Sequence, residues 1–369
     1  MKAFGPNGAG LTGTSHRPCR CFAPESASVY VLPPILIWMA LGAFGLLVVG
    51  GLAYSRLHAP WQGFLANRRA ARFRDRFDSQ ELAERLGLPL AELQAIKPLY
   101  RTRTIPKRSG GSRTIDAPDA ALQRVQERIH RRLLARLRVH DAAVGFRPGR
   151  SIADHARPHA GRAVLIKLDL VDFFPRTSSD RVERVFRTIG WDAEATALLV
   201  RLTTLRGGLP QGAPTSPILS NILLRKMDAE IDTWVRHRRG RYTRYADDLA
   251  ISFPKDYPGR IRGVIQLTRH AARAAGHRVH GRGTTQKPGK LRVLRRHQRQ
   301  SVCGLVVNEK VALPRERRRW LRAVEHRMRT GGNATLTPAE LAGWRAFQAM
   351  VERPSMEAEA DEAGTTPGR

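Results

Sequence analysis

The chain has 369 residues, with 64 Lys and Arg against 32 Asp and Glu, so its formal net charge is +32. This excess predicts a partner of dense negative charge and argues against an ordinary small-molecule enzyme. An apolar fraction of 42% is enough for a folded core. Three cysteines exclude a disulfide framework and argue against a structural zinc site.

The N-terminal part divides into two segments of different composition. Residues 1–28 are rich in Gly, Pro and Ser and show no periodicity, which predicts a disordered leader. Residues 29–55 carry no charge and are long enough to cross a bilayer, so a single transmembrane helix is predicted there. A buried core helix and a secretory signal are the alternatives. The arginines that follow predict a cytoplasmic C-terminal part, anchored to the inner membrane by residues 29–55.

The next segments are basic and alternate between helical and strand patterns. Residues 56–94 have the spacing of basic helices. Residues 101–116 alternate Thr and Ile with basic residues around a Gly-Gly pair, which predicts a two-stranded ribbon. Residues 122–137 place apolar side chains three and four apart, which predicts an amphipathic helix whose basic face is either solvated or in contact with nucleic acid.

Two later segments combine strand patterns with carboxylates. Residues 163–170 are mostly branched and apolar, which predicts a buried strand carrying Asp169 near its end. Residues 241–253 have the composition of a β-hairpin with Asp247 and Asp248 at its tip. Carboxylates that meet at one edge of a sheet can hold two Mg²⁺ ions, which align an attacking hydroxyl and neutralise a leaving pyrophosphate.

Three motifs in this order resemble a known family. They are KLDLVDFF at 167–174, LPQGAPTSPILSNI at 209–222 and YADD at 245–248, and together they resemble the reverse transcriptases, in particular the bacterial retron type. The resemblance implies an α+β right-hand polymerase fold of fingers, palm and thumb, with an antiparallel palm sheet. It assigns residues 95–310 to fingers and palm and 311–350 to the thumb, while the acidic residues 351–369 are predicted to be a disordered tail.

The resemblance also implies an activity and its partners. The chain is expected to be an RNA-directed DNA polymerase that copies a structured noncoding RNA into cDNA from deoxynucleoside triphosphates. The expected cofactor is Mg²⁺ as two ions, with Mn²⁺ as the alternative. Systems of this kind act in antiviral defence, so an effector or toxin protein encoded nearby is an expected partner.

Site residues follow from the resemblance position by position. Asp169, Asp247 and Asp248 are expected to be the catalytic carboxylates and metal ligands. Phe174 matches the ring that would clash with a ribose 2′-hydroxyl, and Lys290 is the candidate general acid for pyrophosphate, with Lys287 as its rival. The residues expected to bind the nucleotide are Lys107, Arg113, Phe174, Gln211, Gly212 and Lys290.

RNA-binding residues are implied where two retron elements recur in altered form. The retron Asn-Ala-x-x-His element corresponds to residues 155–159, with His155 and His159, and the Val-Thr-Gly element corresponds to Val302, Cys303 and Gly304. Cys303 is also predicted to be a small buried residue of an apolar strand. The basic helix of residues 315–330 resembles the thumb and is expected to follow the template-primer duplex; its contacts are Arg315, Arg318 and Arg322.

Other functions share some of these features. A group II intron-like or diversity-generating reverse transcriptase would use the same carboxylates, and so would a two-metal nuclease. A membrane-tethered nucleic-acid sensor is the alternative from a different class. It would gain nothing from three clustered carboxylates that repel RNA phosphates, which favours the polymerase.

Overall fold

The structure, a computed structural model, describes residues 76–106, 111–281, 283 and 289–353. The predicted leader and transmembrane helix, residues 56–75, Lys107, Lys287 and residues 354–369 lie outside the described residues. Within the described ranges, no helix combines the length and the apolar character needed to cross a bilayer.

The described chain contains α-helices, short strands and single turns of other helix types. The α-helices are α1 (Ser79–Leu86), α2 (Leu90–Ala95), α3 (Ala120–Ile129), α4 (Ile152–Ala156), α5 (Ser179–Ile189), α6 (Ala193–Thr203), α7 (Ser216–Leu223), α8 (Arg225–Arg236), α9 (Pro258–Ala274), α10 (Arg315–Arg329) and α11 (Pro338–Glu352). The strands are β1 (Tyr100–Pro106), β2 (Ser112–Pro118), β3 (Val164–Asp169), β4 (Arg241–Tyr245), β5 (Asp248–Phe253), β6 (Arg292–Arg295), β7 (Ser301–Val302) and β8 (Leu305–Val306).

Several predicted elements are confirmed. The ribbon is the antiparallel pair β1–β2, the strand with Asp169 is β3, and the hairpin is β4–β5. The predicted helix 122–137 forms as α3, which is capped by the Asp119 side chain and continues into one π-helical turn over His130–Leu134. The extra residue of that turn leaves Leu133 and Leu134 buried.

The core of the described chain is a four-stranded antiparallel sheet in the order β4-β5-β3-β6. We call it the central sheet. Side chains alternate between its faces along each strand. Val164, Ile166 and Leu168 lie on one face and pack with α8 and α9, whereas Leu165 and Ala250 lie on the other and pack with α4, β7–β8, α10 and α11. Burial on both faces explains why β3 is almost continuously apolar.

A second core is helical. Apolar side chains of α1 and α3 pack with those of α5, α6 and α7. Trp191 and Phe186 are fully buried there, and Phe77 contacts the Trp191 ring at a centroid distance of 5.3 Å. The segment of α5 and α6 therefore packs against α3, the helix that follows the β1–β2 ribbon.

Candidate active site

The strand register brings two of the predicted carboxylates together. Asp169 ends β3 and lies directly opposite Asp248, the first residue of β5. Cross-strand partners have their side chains on the same face of a sheet, and like charges in such a pair repel. Asp247 precedes Asp248 in the hairpin turn, and its carbonyl oxygen accepts a hydrogen bond from Leu170 N at 3.0 Å. All three predicted carboxylates thus lie at one end of the central sheet.

The pKa values of two of the carboxylates show the effect of burial and of crowding by like charges. Burial, together with the Asp169 charge, raises the pKa of Asp247 above its ordinary value. Burial also raises the pKa of Asp248, where Lys167 acts in the opposite direction and Asp169 and Asp247 add to the increase. Proximity of like charges in a partly desolvated site disfavours ionisation, and a divalent cation relieves that cost.

Basic side chains lie close to the carboxylates. Lys290 Nζ is 2.7 Å from Asp169 Oδ1, His280 Nε2 is 3.4 Å from the same oxygen, and Lys167 Nζ is 3.6 Å from Asp248 Oδ2. Arg113, exposed on β2, opposes the rise in the pKa of Asp247. Two residues predicted to bind the nucleotide, Arg113 and Lys290, are therefore close enough to act on the carboxylate trio.

A buried ion pair supports the turn that carries Asp247. Arg244 and Asp228 are both fully buried, and the guanidinium donates two hydrogen bonds to the carboxylate, at 2.8 and 2.6 Å. Tyr242 OH donates to the same carboxylate at 2.7 Å. Arg244 Nη1 donates in addition to the carbonyl oxygen of Ala246 at 3.1 Å, and Ala246 has a φ of 56°. The ion pair thus stabilises an unfavourable backbone conformation next to Asp247.

Gln211 and Gly212 lie where the loop before α7 meets the ribbon. Asp116 N donates to the Gln211 carbonyl oxygen at 2.8 Å. Gly212 has a φ of 139°, and a Cβ there would lie 2.7 Å from the Asp116 carbonyl oxygen. Only glycine fits this close approach of two backbones. The predicted nucleotide-binding loop is therefore attached to β2, the strand that carries Arg113.

Phe174 belongs to an aromatic set beside the trio. Its ring centroid is 6.0 Å from that of Phe146, which is in turn 6.1 Å from that of Tyr245. Phe146 is 40% exposed and has a φ of 62°. A Cβ on the preceding Gly145 would lie 2.9 Å from the Ala246 nitrogen. Glycine therefore lets the backbone at residue 145 approach the turn that carries Asp247.

The expectation that His155 and His159 contact RNA is wrong. Both side chains lie in the core and are fully buried. His159 bonds Ser252 Oγ through Nδ1 and Thr243 Oγ1 through Nε2, each at 2.8 Å. His155 Nδ1 is 2.7 Å from the same Thr243 oxygen. Burial lowers the pKa of His155 to about 3 and that of His159 well below its ordinary value. Both imidazoles are neutral parts of a hydrogen-bond network on the central sheet.

The element that corresponds to the retron Val-Thr-Gly, residues 302–304, is likewise only partly exposed. Val302 is fully buried, whereas Gly304 is exposed. The prediction that Cys303 lies in a strand is wrong: it occupies the turn between β7 and β8, and Cys303 and Gly304 have φ angles of 45° and 82°. Two-residue hairpin turns of type I′ require positive φ at both positions. The thiol is partly buried, 3.7 Å from Asp248 Oδ2.

The basic helix predicted over residues 315–330 is confirmed as α10, which packs against α11 through Trp320 and Trp344. Arg315 and Arg322 are exposed, while Arg318 is partly buried. Sequence reasoning had no signal for several residues that complete the site. These are Asp228 and Arg244 beneath the turn, Lys167 and His280 beside the carboxylates, and Phe146 against Phe174.

Comparison with known proteins agrees with this geometry. Residues 105–292 match the family described as "Reverse transcriptase (RNA-dependent DNA polymerase)". The chain is 35% identical over 318 residues to the retron Mx162 reverse transcriptase of Myxococcus xanthus, covering 74% of this chain and 64% of that protein. It is 37% identical over 270 residues to the retron Mx65 reverse transcriptase of the same organism, covering 68% and 61%. It is 29% identical over 259 residues to the retron Ec86 reverse transcriptase of Escherichia coli, covering 69% and 78%. The chain therefore spans less than two thirds of the length of the two Myxococcus relatives.

Proposed function

The chain belongs to the reverse transcriptase family, and from that premise we propose that it is an RNA-directed DNA polymerase that copies a structured noncoding RNA into cDNA. The observation that carries the proposal is the register that sets Asp169 opposite Asp248, with Asp247 in the adjoining turn. A carboxylate cluster at the end of a buried sheet, in an otherwise basic chain, suits chemistry on polyanionic substrates.

Members of the reverse transcriptase family use divalent metal ions, and the carboxylate trio fits such ions. Its carboxyl groups are crowded, two have raised pKa values, and Lys290 and Lys167 form ion pairs with them. We propose Mg²⁺ as two ions, with Mn²⁺ as the alternative, held by Asp169, Asp247 and Asp248. Bound there, the ions would activate the primer 3′-hydroxyl and neutralise charge on the leaving pyrophosphate.

The residues around the trio supply nucleotide binding in this proposal. Arg113 provides a forked guanidinium for the triphosphate, and Lys107, which lies outside the described residues, has the matching role in the proposal. Gln211 and Gly212 form the surface against which the nascent base pair lies. Phe174 would contact the sugar and disfavour a 2′-hydroxyl. Lys290, whose ammonium is 2.7 Å from Asp169 Oδ1, would donate a proton to pyrophosphate.

The proposal divides the chain into the parts of a right-hand polymerase. Residues 95–310 form fingers and palm, with the central sheet as the palm and the β1–β2 ribbon in the fingers. Residues 311–350 form the thumb, where the exposed Arg315 and Arg322 of α10 would contact duplex phosphates. The relatives' retron names support a structured noncoding RNA as template. A role in antiviral defence is part of the proposal.

The proposal is tested by primer extension on RNA with the purified full chain, Mg²⁺ and deoxynucleotides. Asp247→Asn should abolish cDNA synthesis and leave RNA binding intact, because it removes a metal ligand and no basic surface. Asp141→Asn is the matched control, since this aspartate is 87% exposed and forms only an exposed ion pair at 3.5 Å with Arg147. Synthesis that persists in Asp247→Asn would overturn the assignment. RNA binding without synthesis by the unmodified chain would favour the tethered sensor.

A further inference from the structure

A second group of metal-ligating side chains lies beside the carboxylate trio on the same face of the central sheet. His155, Cys303 and Asp248 each place one ligand atom within 4.8 Å of the others. Cys303 Sγ is 3.7 Å from Asp248 Oδ2. A tetrahedral zinc ion with typical bond lengths would separate a sulfur and an oxygen ligand by about 3.5 Å. The spacing of Cys303 and Asp248 is therefore close to what a zinc ion needs, and His155 lies within reach of both.

The hydrogen bonds of His155 leave one ring nitrogen available. Thr243 Oγ1 donates its single hydrogen to the His155 carbonyl oxygen at 3.0 Å. The two imidazole nitrogens that face this hydroxyl, His155 Nδ1 at 2.7 Å and His159 Nε2 at 2.8 Å, must then both donate to it. This places the His155 hydrogen on Nδ1 and leaves a lone pair on Nε2.

Among the described residues, no donor forms a hydrogen bond with that lone pair. His155 is fully buried, and its Nε2 has no hydrogen-bond partner there. A buried polar atom without a partner costs stability, so it points to a ligand. Metal-binding histidines usually donate their second nitrogen to a neighbouring oxygen, as His155 does to Thr243.

We propose that His155, Cys303 and Asp248 bind a Zn²⁺ ion, distinct from the Mg²⁺ ions of the polymerase and linked to them through Asp248. Water would complete the tetrahedral coordination. The thiol, imidazole and single carboxylate form a soft ligand set that selects zinc over magnesium, which takes oxygen ligands. On binding, the zinc–sulfur bond replaces the sulfur–hydrogen bond of Cys303, and the proton leaves to solvent. Lys167, whose ammonium is 3.6 Å from Asp248 Oδ2, would compete with the ion.

The test is titration of the full chain with Co²⁺ in excess Mg²⁺, using Cys19→Ser/Cys21→Ser so that Cys303 is the only cysteine. We expect one equivalent of Co²⁺ to produce the thiolate-to-cobalt charge-transfer absorption, and Zn²⁺ to abolish it. Adding Cys303→Ser should remove the band. Asp247→Asn in the same background should retain it, which separates this site from the polymerase ions.

Two further variants test the other ligands. His155→Gln should weaken Co²⁺ binding, and Thr243→Val, which replaces the hydroxyl that bonds His155 and His159 by a methyl group, should weaken it about 10- to 100-fold. Thermal unfolding checks that each variant folds, and Zn²⁺ should raise the melting temperature of the parent but not of Cys303→Ser. Absence of the band in the folded parent, or affinity unchanged by His155→Gln, would overturn the proposal.

Discussion

The buried ion pair between Asp228 and Arg244 allows a stability prediction that is worked from the structure. Asp228→Asn keeps the shape of the side chain and removes its charge. Arg244 cannot lose its own charge in response, because guanidinium remains protonated at any ordinary pH. Asp228 moreover raises the pKa of Arg244 despite burial. The variant therefore has an uncompensated cation in a site where both side chains are 0% exposed.

The expected cost follows from known buried pairs. Removing one partner of such a pair destabilises a protein by about 3–5 kcal/mol. For a chain of 369 residues, each kcal/mol corresponds to a change of about 1.3 °C in melting temperature, so a decrease of about 4–6 °C is expected. DNA synthesis should fall as well, because the guanidinium also holds the Ala246 carbonyl oxygen beside Asp247.

Thermal and urea denaturation of the full chain measure this cost. Glu230→Gln is the matched control, because it removes the same charge from an exposed position of the same helix and should change stability by less than about 0.5 kcal/mol. The double variant Asp228→Leu/Arg244→Met should recover part of the loss, since it leaves no unpaired charge. A loss below about 1 kcal/mol in Asp228→Asn would refute the reasoning.

Three further single substitutions have defined outcomes. Phe174→Ala should raise ribonucleotide incorporation in competition with deoxynucleotides, and unchanged discrimination would mean that another residue contacts the sugar. Arg113→Ala should raise the KM for deoxynucleotides roughly 10- to 100-fold through loss of a charge-assisted hydrogen bond, without weakening RNA binding, and an unchanged KM would exclude this role. Burial lowers the pKa of His277 from 6.5 to about 4. Between these two pH values the unfolded chain binds a proton that the folded chain does not. The free energy of unfolding therefore decreases as the pH falls, by up to about 3 kcal/mol. His277→Phe should reduce that loss in denaturation at pH 7 and about pH 4.5, whereas the exposed His270→Gln should not, and equal pH dependence in all three proteins would contradict the assignment.

The elements predicted correctly are those that depend on local pattern. The ribbon, the strand ending at Asp169 and the hairpin around Asp247 each have a period-two pattern or a turn signal within about a dozen residues. The carboxylate cluster followed because strand ends that share a sheet edge meet. The fold class follows from the same motifs, since the described chain has helices packed around antiparallel sheets.

The residues that sequence reasoning missed depend on contacts across the chain. Arg244 reads as one more arginine in a basic protein, and its partner Asp228 lies 16 residues earlier on a helix. The resemblance to the retron element implied that His155 and His159 contact RNA, yet their short helical segment lies on the central sheet and buries both. A local pattern contains no information about which element will cover a face.

Side chains alternate between the two faces of the central sheet, and this alternation explains why Asp248 of the trio and the side chains that bond the buried histidines lie on one face. Along β5, Asp248, Ala250 and Ser252 alternate onto the same face, and the register with β4 adds Thr243 to it. Ser252 and Thr243 bond the two histidines, and Asp248 ends the same row. A displacement of the helical segment that carries His155 would therefore act on Asp248 through Thr243 and the neighbouring residues of β5. A one-residue slip of β5 would instead move Asp248 to the opposite face, so the hydrogen bonds of the histidines also maintain the register that assembles the site.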